Sequence, residues 1–221
     1  MPISEPTIPA PPKLIAAASD SRLRRGAAIF RAGDPADTVY VVREGWIKVS
    51  TDTESGRTVI HQLAGPGDLV GGVDLLAGER ERPADAIALT DVRLHSIPGA
   101  ILLRSLNDPE VAPFVAGCLA RDLSEQRRAQ VLGETLGARG RLADTLRRLS
   151  SRCGVTLDDG WRKIDLPLSE EDLAGVIGVA RETVSIAIGD LEARDVVRHR
   201  RMSFTVHLER IGEFLRNHAR R

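Results

Sequence analysis

The sequence predicts an α+β protein: an N-terminal jelly-roll-like β-roll, a long helix, and a C-terminal winged helix-turn-helix. Three observations predict it. Between Ile29 and about Pro98, short β-type runs are punctuated by glycine, at the spacing of a sandwich or roll. From Pro109 the glycine density drops and apolar residues take up helical spacing. Beyond Leu168 a short helix, a glycine turn and a longer helix follow one another, the order of a helix-turn-helix.

Within the first segment, "TVYVVREGWIKVST" holds two runs hinged at Glu44-Gly45, and "TDTESGRTVIHQL" reads as a hairpin with Glu54-Ser55-Gly56 at its tip. "GPGDLV" is a turn followed by a strand, and "ADAIALTDVRLHSI" gives two alternating runs around Thr90-Asp91. No strand–helix–strand rhythm appears, which argues against a parallel nucleotide-binding sheet. In front of the roll, "MPISEPTIPAPPKL" is rich in proline and lacks the apolar run of a signal peptide. Residues 1–19 are therefore expected to form a flexible Pro-rich tail, and the roll to occupy 20–108.

Val111, Val115, Cys118, Leu119 and Leu123 lie at helical spacing, and Leu132, Thr135 and Leu136 resume it after the polar stretch "SEQRRAQ". A helix this long with one apolar stripe packs on a partner helix, so 109–139 is expected to be a long dimerisation helix. Gly137 and Gly140 mark a break or hinge. An amphipathic helix follows from Arg141 to about Arg152, with Leu142, Leu146 and Leu149 as its buried stripe.

The final segment, part of an expected 140–221 domain, starts its first helix at Ser169-Glu170-Glu171-Asp172, an N-cap with an acid three residues on. Leu173, Ala174, Val176 and Ile177 give that helix an apolar face, and Gly178 permits a tight turn. A second helix runs from about Ala180 to Ala193. "DVVRHRRMSFTVHL" then alternates well enough for a two-stranded wing, with Arg198 to Arg201 at its tip.

Composition narrows the function classes. The 221 residues are 42% hydrophobic and 28% charged, and no run approaches the length of a membrane span. A cytoplasmic protein is expected. Net charge is zero, so bulk electrostatics alone announces no nucleic-acid partner. Residues 140–221 nevertheless hold 15 Lys/Arg against 13 Asp/Glu, and from Arg198 onward there are seven arginines against two acids. A basic end on a neutral chain suits local phosphate contact. The two cysteines, Cys118 and Cys153, lie far apart without CxxC spacing and read as reduced thiols. An iron–sulfur cluster needs about four thiolates, so none is expected. There is no nucleophile–base set, no metal-ligand cluster and no phosphate-binding glycine loop, so neither a catalytic nor a metal site is assigned and an enzyme is not expected.

On the second helix of the pair, Val184, Ala187, Ile188 and Leu191 cluster on one side and would face the core. Glu182, Ser185, Ile186 and Gly189 fall away from them, with Arg181 at the rim. In a helix-turn-helix, the N-terminal outward residues of the second helix reach base edges. Arginine suits the paired acceptors of guanine, glutamate accepts from a cytosine amino group, and Ile186 can pack on a thymine methyl. The other reading, a solvated helix start, suits an isolated "RETVS" but not one flanked by a glycine turn and a basic wing.

This order of parts resembles the CRP/FNR superfamily of bacterial transcription regulators. The resemblance covers about residues 20–210 and is carried by "RAGDPADTVYVVREGWIKV", "GPGDLVGGVDLLAGERERPADAIA" and "LSEEDLAGVIGVARETVSIAIGDLEARDVV". It implies a cyclic-nucleotide-binding-type roll as effector domain and a homodimer on a pseudo-palindromic operator in double-stranded DNA. RNA polymerase is a further partner it allows; a membrane is not. The positions matching Arg181, Glu182 and Ser185 contact operator bases in that family, and Ile186 stands where arginine is usual. Arg198, Arg200 and Arg201 would hold phosphates. The rival reading is a cytoplasmic small-molecule-binding signalling module whose winged helix docks protein rather than DNA.

The effector pocket departs further. After Gly71, the family's ribose-binding glutamate is matched by Gly72 and its phosphate-binding arginine by Arg82. The serine beside that arginine is matched by Pro83, which has no hydroxyl or N–H to offer. The hydroxyl pair that reaches the adenine is matched by Gln126 and Arg127. Each buried hydrogen bond that goes unmade forfeits about 1–3 kcal/mol, so cyclic AMP is not the expected effector. Arg82 in "GERERP" also reads as a plain loop charge. Haem would need an axial pair such as His61 and His95, and a lone histidine in a strand pattern is more often surface or satisfied core. Redox sensing at Cys118, a small anion held by Arg82 with Arg127 or Arg128, and a regulator without an effector complete the alternatives.

Overall fold

The computed structural model describes residues 9–218. The chain forms two compact units that divide within the long helix: one of residues up to 51 with 60–126, the other from 127 onward with the short segment 52–59.

The first unit starts with α1 (Pro12–Ala16), β1 (Ser19–Leu23), β2 (Ala28–Phe30), β3 (Thr38–Glu44), β4 (Ile47–Asp52), β5 (Thr58–Ala64) and β6 (Leu69–Val70). It continues with α2 (Gly72–Ala77), β7 (Asp85–Ala88), β8 (Val92–Pro98) and α3 (Gly99–Ser105), then enters α4 (Val111–Thr135). Two four-stranded sheets, ordered β1-β8-β3-β6 and β2-β7-β4-β5, form the roll. Phe30, Val42, Ile47, Ala64, Val70, Ala86, Ala88, Val92 and Leu94 pack together as its core. Residues of alternate parity on β3 serve a second cluster. Val39 and Val41 join Leu14, Ile97, Leu102, Val111, Phe114, Val115 and Cys118, from α1, β8, α3 and the start of α4. A strand clothed on both faces reads as a continuous apolar run, which is why "TVYVV" scarcely alternates.

The expected tail is shorter than its proline content suggests. Leu14 is fully buried and β1 pairs with β8 from Ser19↔Ser96 to Leu23↔Val92. The first eight residues of that expected tail lie outside the described residues. Pro12 stands at the first position of α1, where its missing N–H costs nothing.

Inside this unit, the Gln62 side-chain amide donates to both carboxylate oxygens of Asp122 on α4, at 3.0 and 2.9 Å. Burial pushes Asp122 up to about 6; the Gln62 bond opposes this, while Asp68 and Glu125 add to it. A carboxyl raised above its unfolded value near 3.8 binds its proton more tightly when folded. Its ionisation therefore costs stability that is complete above about pH 6, shrinks as pH falls below that value and is gone only below the unfolded value near 3.8. Asp122→Asn keeps an oxygen for Gln62 and is expected to add about 1 kcal/mol at about pH 7.5, after discounting for solvent screening. Urea titrations should show the gain at about pH 7.5, roughly half of it at about pH 5 and little of it at about pH 3.5; an equal gain at all three would refute the assignment.

The second unit contains the end of α4, α5 (Ala138–Cys153), β9 (Gly154–Thr156), β10 (Trp161–Ile164), α6 (Glu170–Ile177), α7 (Arg181–Ala193), β11 (Val197–Arg200), β12 (Ser203–His207) and α8 (Leu208–His218). Its sheet runs β11-β12-β10-β9. Leu142, Leu146, Leu173, Val184, Leu191, Phe204, Val206 and Ile211 are among its deeply buried side chains. The break or hinge expected at Gly137 and Gly140 falls at Gly137, between the end of α4 at Thr135 and the start of α5 at Ala138. Gly137 caps α5, but Gly140 lies buried within it, packed by the side chain of Leu136. β9, β10 and α8 extend the expected winged fold; the last arginines of the basic end, Arg220 and Arg221, lie outside the described residues. Among the described residues, no helix is long and apolar enough to cross a membrane.

Candidate functional site

The helix pair is fixed by its caps and by ties to α5 and the wing. Ser169 Oγ accepts the Asp172 N–H at 3.0 Å while the Asp172 carboxylate accepts the Ser169 N–H at 3.0 Å, so the expected capping box is complete. Gly178, at φ +67°, ends α6 in the left-handed conformation that a side-chain-bearing residue resists. Arg141 Nη1 on α5 donates to the Ile177 carbonyl at 2.8 Å, and Glu192 near the end of α7 accepts the His199 N–H of the wing at 2.9 Å. Neither tie was legible from residue types alone. Arg139 and Asp190, 2.9 Å apart, add an ion pair between α5 and α7.

α7 divides as its periodicity predicts. Val184, Ala187, Ile188 and Leu191 are buried, whereas Arg181, Glu182, Ser185, Ile186 and Gly189 are exposed. Ile186 is 68% exposed, an apolar side chain held in water on the outward face. Arg181 opens the helix and its Nε lies 3.3 Å from Glu170, a pair whose arginine remains 62% exposed. An exposed pair of this kind contributes about 0–1 kcal/mol and yields readily to a stronger acceptor.

The three wing arginines differ. Arg198 stacks its guanidinium 3.8 Å above the Trp161 ring and lies 3.7 Å from Asp195, so part of its role is to fasten β11 to β10. Arg200 ends β11, exposed, and Arg201 forms the tip at φ +55°. His199 stacks on Phe204 with centroids 4.5 Å apart, which stiffens the hairpin beneath them.

The effector residues follow a different geometry. Arg82 is neither a loop charge nor an open anion partner: its side chain is 1% exposed. Nη1 donates to the Gly71 carbonyl at 3.0 Å and to Asp74 at 3.1 Å, Nη2 donates to the Thr38 carbonyl, and the guanidinium lies 4.3 Å above the Phe30 ring. Gly71 makes this possible, since a Cβ there would sit 2.4 Å from Nη1. Gly72 is buried, Pro83 is exposed, and Gln126 and Arg127 are exposed on α4. Arg128 meets Asp144 at 3.0 and 2.5 Å, so the expected anion pairing of Arg82 with Arg128 is replaced by separate carboxylate partners.

The remaining sensing candidates already have partners or lack reactivity. His61 on β5 bonds Thr51 at 2.9 Å and His95 on β8 meets Asp20 at 2.9 Å; the two sit on different sheets. Burial pushes the Cys118 and Cys153 thiols up to about 11, which keeps both protonated and slow to oxidise at neutral pH.

A family model described as the cyclic nucleotide-binding domain matches residues 21–108, and one described as the Crp-like helix-turn-helix domain matches 140–211. The chain is 33% identical over 190 residues, 84% of each chain, to the global nitrogen regulator of Synechococcus elongatus. The chain belongs to the CRP/FNR family. It is a transcription regulator with a helix-turn-helix DNA-binding domain. A CRP-like cAMP-activated global transcriptional regulator of Mycobacterium tuberculosis is 29% identical over 177 residues, covering 79% of this chain and 77% of the relative. A solved CRP/FNR regulator from Thermus thermophilus superposes with a TM-score of 0.75 at 27% identity, covering 90% of this chain and 98% of that one. The family name of the roll implies a cyclic nucleotide, and the residues present do not fit one. Gly72 offers a ribose no carboxylate, Pro83 offers a phosphate no donor, and both terminal nitrogens of Arg82 are bonded to the protein itself.

Proposed function

We propose that this CRP/FNR regulator acts as a homodimer on a pseudo-palindromic operator and is not controlled by cyclic AMP. α7 enters the major groove, Arg181, Glu182 and Ser185 read base edges, and Ile186 packs on a thymine methyl. Arg200 and Arg201, with Arg198 behind them, hold phosphates. The observation that carries this reading is the outward face of α7, where exposed Arg181, Glu182 and Ser185 and a 68% exposed isoleucine stand opposite a wholly buried stripe. Leu123 and Val131, 48% and 58% exposed on α4, support the dimer, since each is an apolar side chain awaiting cover.

Glu182→Ala is expected to relax base preference at one operator position, whereas Arg200→Ala should weaken binding to all sequences and reduce the salt slope by about one per subunit. Operator selection from a random duplex pool followed by salt titration of both variants measures the two effects. Equal losses on every sequence for both would overturn the assigned roles.

A further inference from the structure

The buried arginine of the roll already has its anion. The Arg82 side chain is 1% exposed, and its carboxylate partner Asp74, on α2, is 17% exposed and lies 3.1 Å from Nη1. A buried guanidinium without a counter-charge is strongly unfavourable, so an anion belongs at this point whether it comes from the chain or from solution. We infer that Asp74 is a built-in counter-ion that fills the oxyanion position beside Arg82, so that the roll holds itself closed and excludes phosphate-bearing effectors.

The surrounding bonds make the closure specific. The Arg82 side chain joins Thr38 of β3, the Gly71 turn and α2, while its backbone joins residues 33 and 34: Arg82 N–H donates to the Asp34 carbonyl at 2.8 Å and Gly33 N–H donates to the Arg82 carbonyl at 2.9 Å. Phe30 covers one face of the guanidinium. Nε is buried without an acceptor, and the neighbouring Nη1 is held by Asp74. An incoming oxyanion must therefore displace a carboxylate tethered three residues from Gly71, which competes at a high effective concentration. Asp74 is thus the residue that sets what this pocket refuses. Neutralising it removes the carboxylate that holds Nη1 and leaves the anion position beside Arg82 to be filled from solution.

This inference rests on the proposal that cyclic AMP is not the effector, and the two fail in different ways. The probes are cyclic AMP, cyclic GMP and inorganic phosphate, applied to the full chain. By titration calorimetry the wild type should give no saturable binding of either nucleotide, and phosphate should not raise its melting temperature beyond chloride at equal ionic strength. Asp74→Asn should become phosphate-responsive, with its midpoint several degrees higher in phosphate than in chloride and an affinity at least about tenfold above wild type. Adding Arg82→Met should abolish the response. Asp74→Ser serves as a second variant, and a variant that folds in phosphate but not in chloride supports the inference equally. Folded variants that respond no more than wild type overturn the counter-ion role alone. Micromolar cyclic AMP binding by the wild type overturns both readings, and decides alone if neither variant folds.

Discussion

Replacing Arg181 by alanine is expected to weaken operator binding by about 30-fold to 10⁴-fold and to erase preference at one base pair of each half-site. A bidentate arginine–guanine pair discriminates by about 1–3 kcal/mol, and a homodimer on a two-fold operator makes it twice, so about 2–6 kcal/mol is at stake. The competing term is small. Arg181 must let go of Glu170, 3.3 Å away, but that pair is largely solvated and contributes about 0–1 kcal/mol. Folding should be untouched, because Arg181 is exposed at the first turn of α7 and its loss uncovers no core residue. The decisive measurement compares operator with random duplex at fixed salt. A loss confined to the operator, with an unchanged melting curve, supports base reading. An equal loss on both duplexes would reduce Arg181 to a phosphate contact.

That prediction could be framed from sequence because α7 is amphipathic in an ordinary way. Buried Val184, Ala187, Ile188 and Leu191 recur at helical spacing, and the cap at Ser169 and turn at Gly178 fix where the two helices begin and end. The roll was legible for the same reason, its glycine turns separating short runs. Other elements announced themselves poorly. β1, "SDSRL", is polar along most of its length and becomes a strand only through its pairing with β8. β9 and β10 are three and four residues long, too short for a period to show. α8 is different: Ile211 and Phe214 give it a clear apolar stripe, but a reading led by the helix-turn-helix motif ends at the wing.

The effector region was legible only by what it lacks. The missing carboxylate at Gly72 and the missing donor at Pro83 follow from residue identity alone. The fate of Arg82 does not, because no periodicity links it to Asp74 eight residues earlier or to a carbonyl on β3. Long-range polar pairing of this kind is set by the closing of the roll, after the pattern-bearing residues have placed the strands. The same limit applies to Arg128, whose position in a polar helical stretch suggested solvent or a ligand but whose partner is Asp144.

Asp144→Ala is expected to cost the helix-turn-helix unit about 2–3 kcal/mol. Asp144 is 4% exposed in side chain and accepts from Arg128 Nε at 3.0 Å, from Arg128 Nη2 at 2.5 Å and from Arg147 at 3.2 Å. Burial pushes its carboxyl up, but the two guanidinium groups more than offset that and hold it below the usual carboxylate range. Breaking a buried pair costs about 3–5 kcal/mol, and the value here is reduced because the arginines are 44% and 36% exposed and can rehydrate. For a unit of this size the loss corresponds to a fall of roughly 10–20 °C in the melting midpoint. The pH dependence has a definite sign. A carboxyl depressed on folding contributes stability that is fully present above its unfolded value near 3.8 and is lost as pH falls through the folded value. The gap between wild type and Asp144→Ala should therefore be constant at neutral pH and narrow only below about pH 4. A double-mutant cycle with Arg128→Ala isolates the bond between the end of α4 and α5, and a coupling energy within error of zero would show that burial of Asp144, not its pairing, is what the unit depends on.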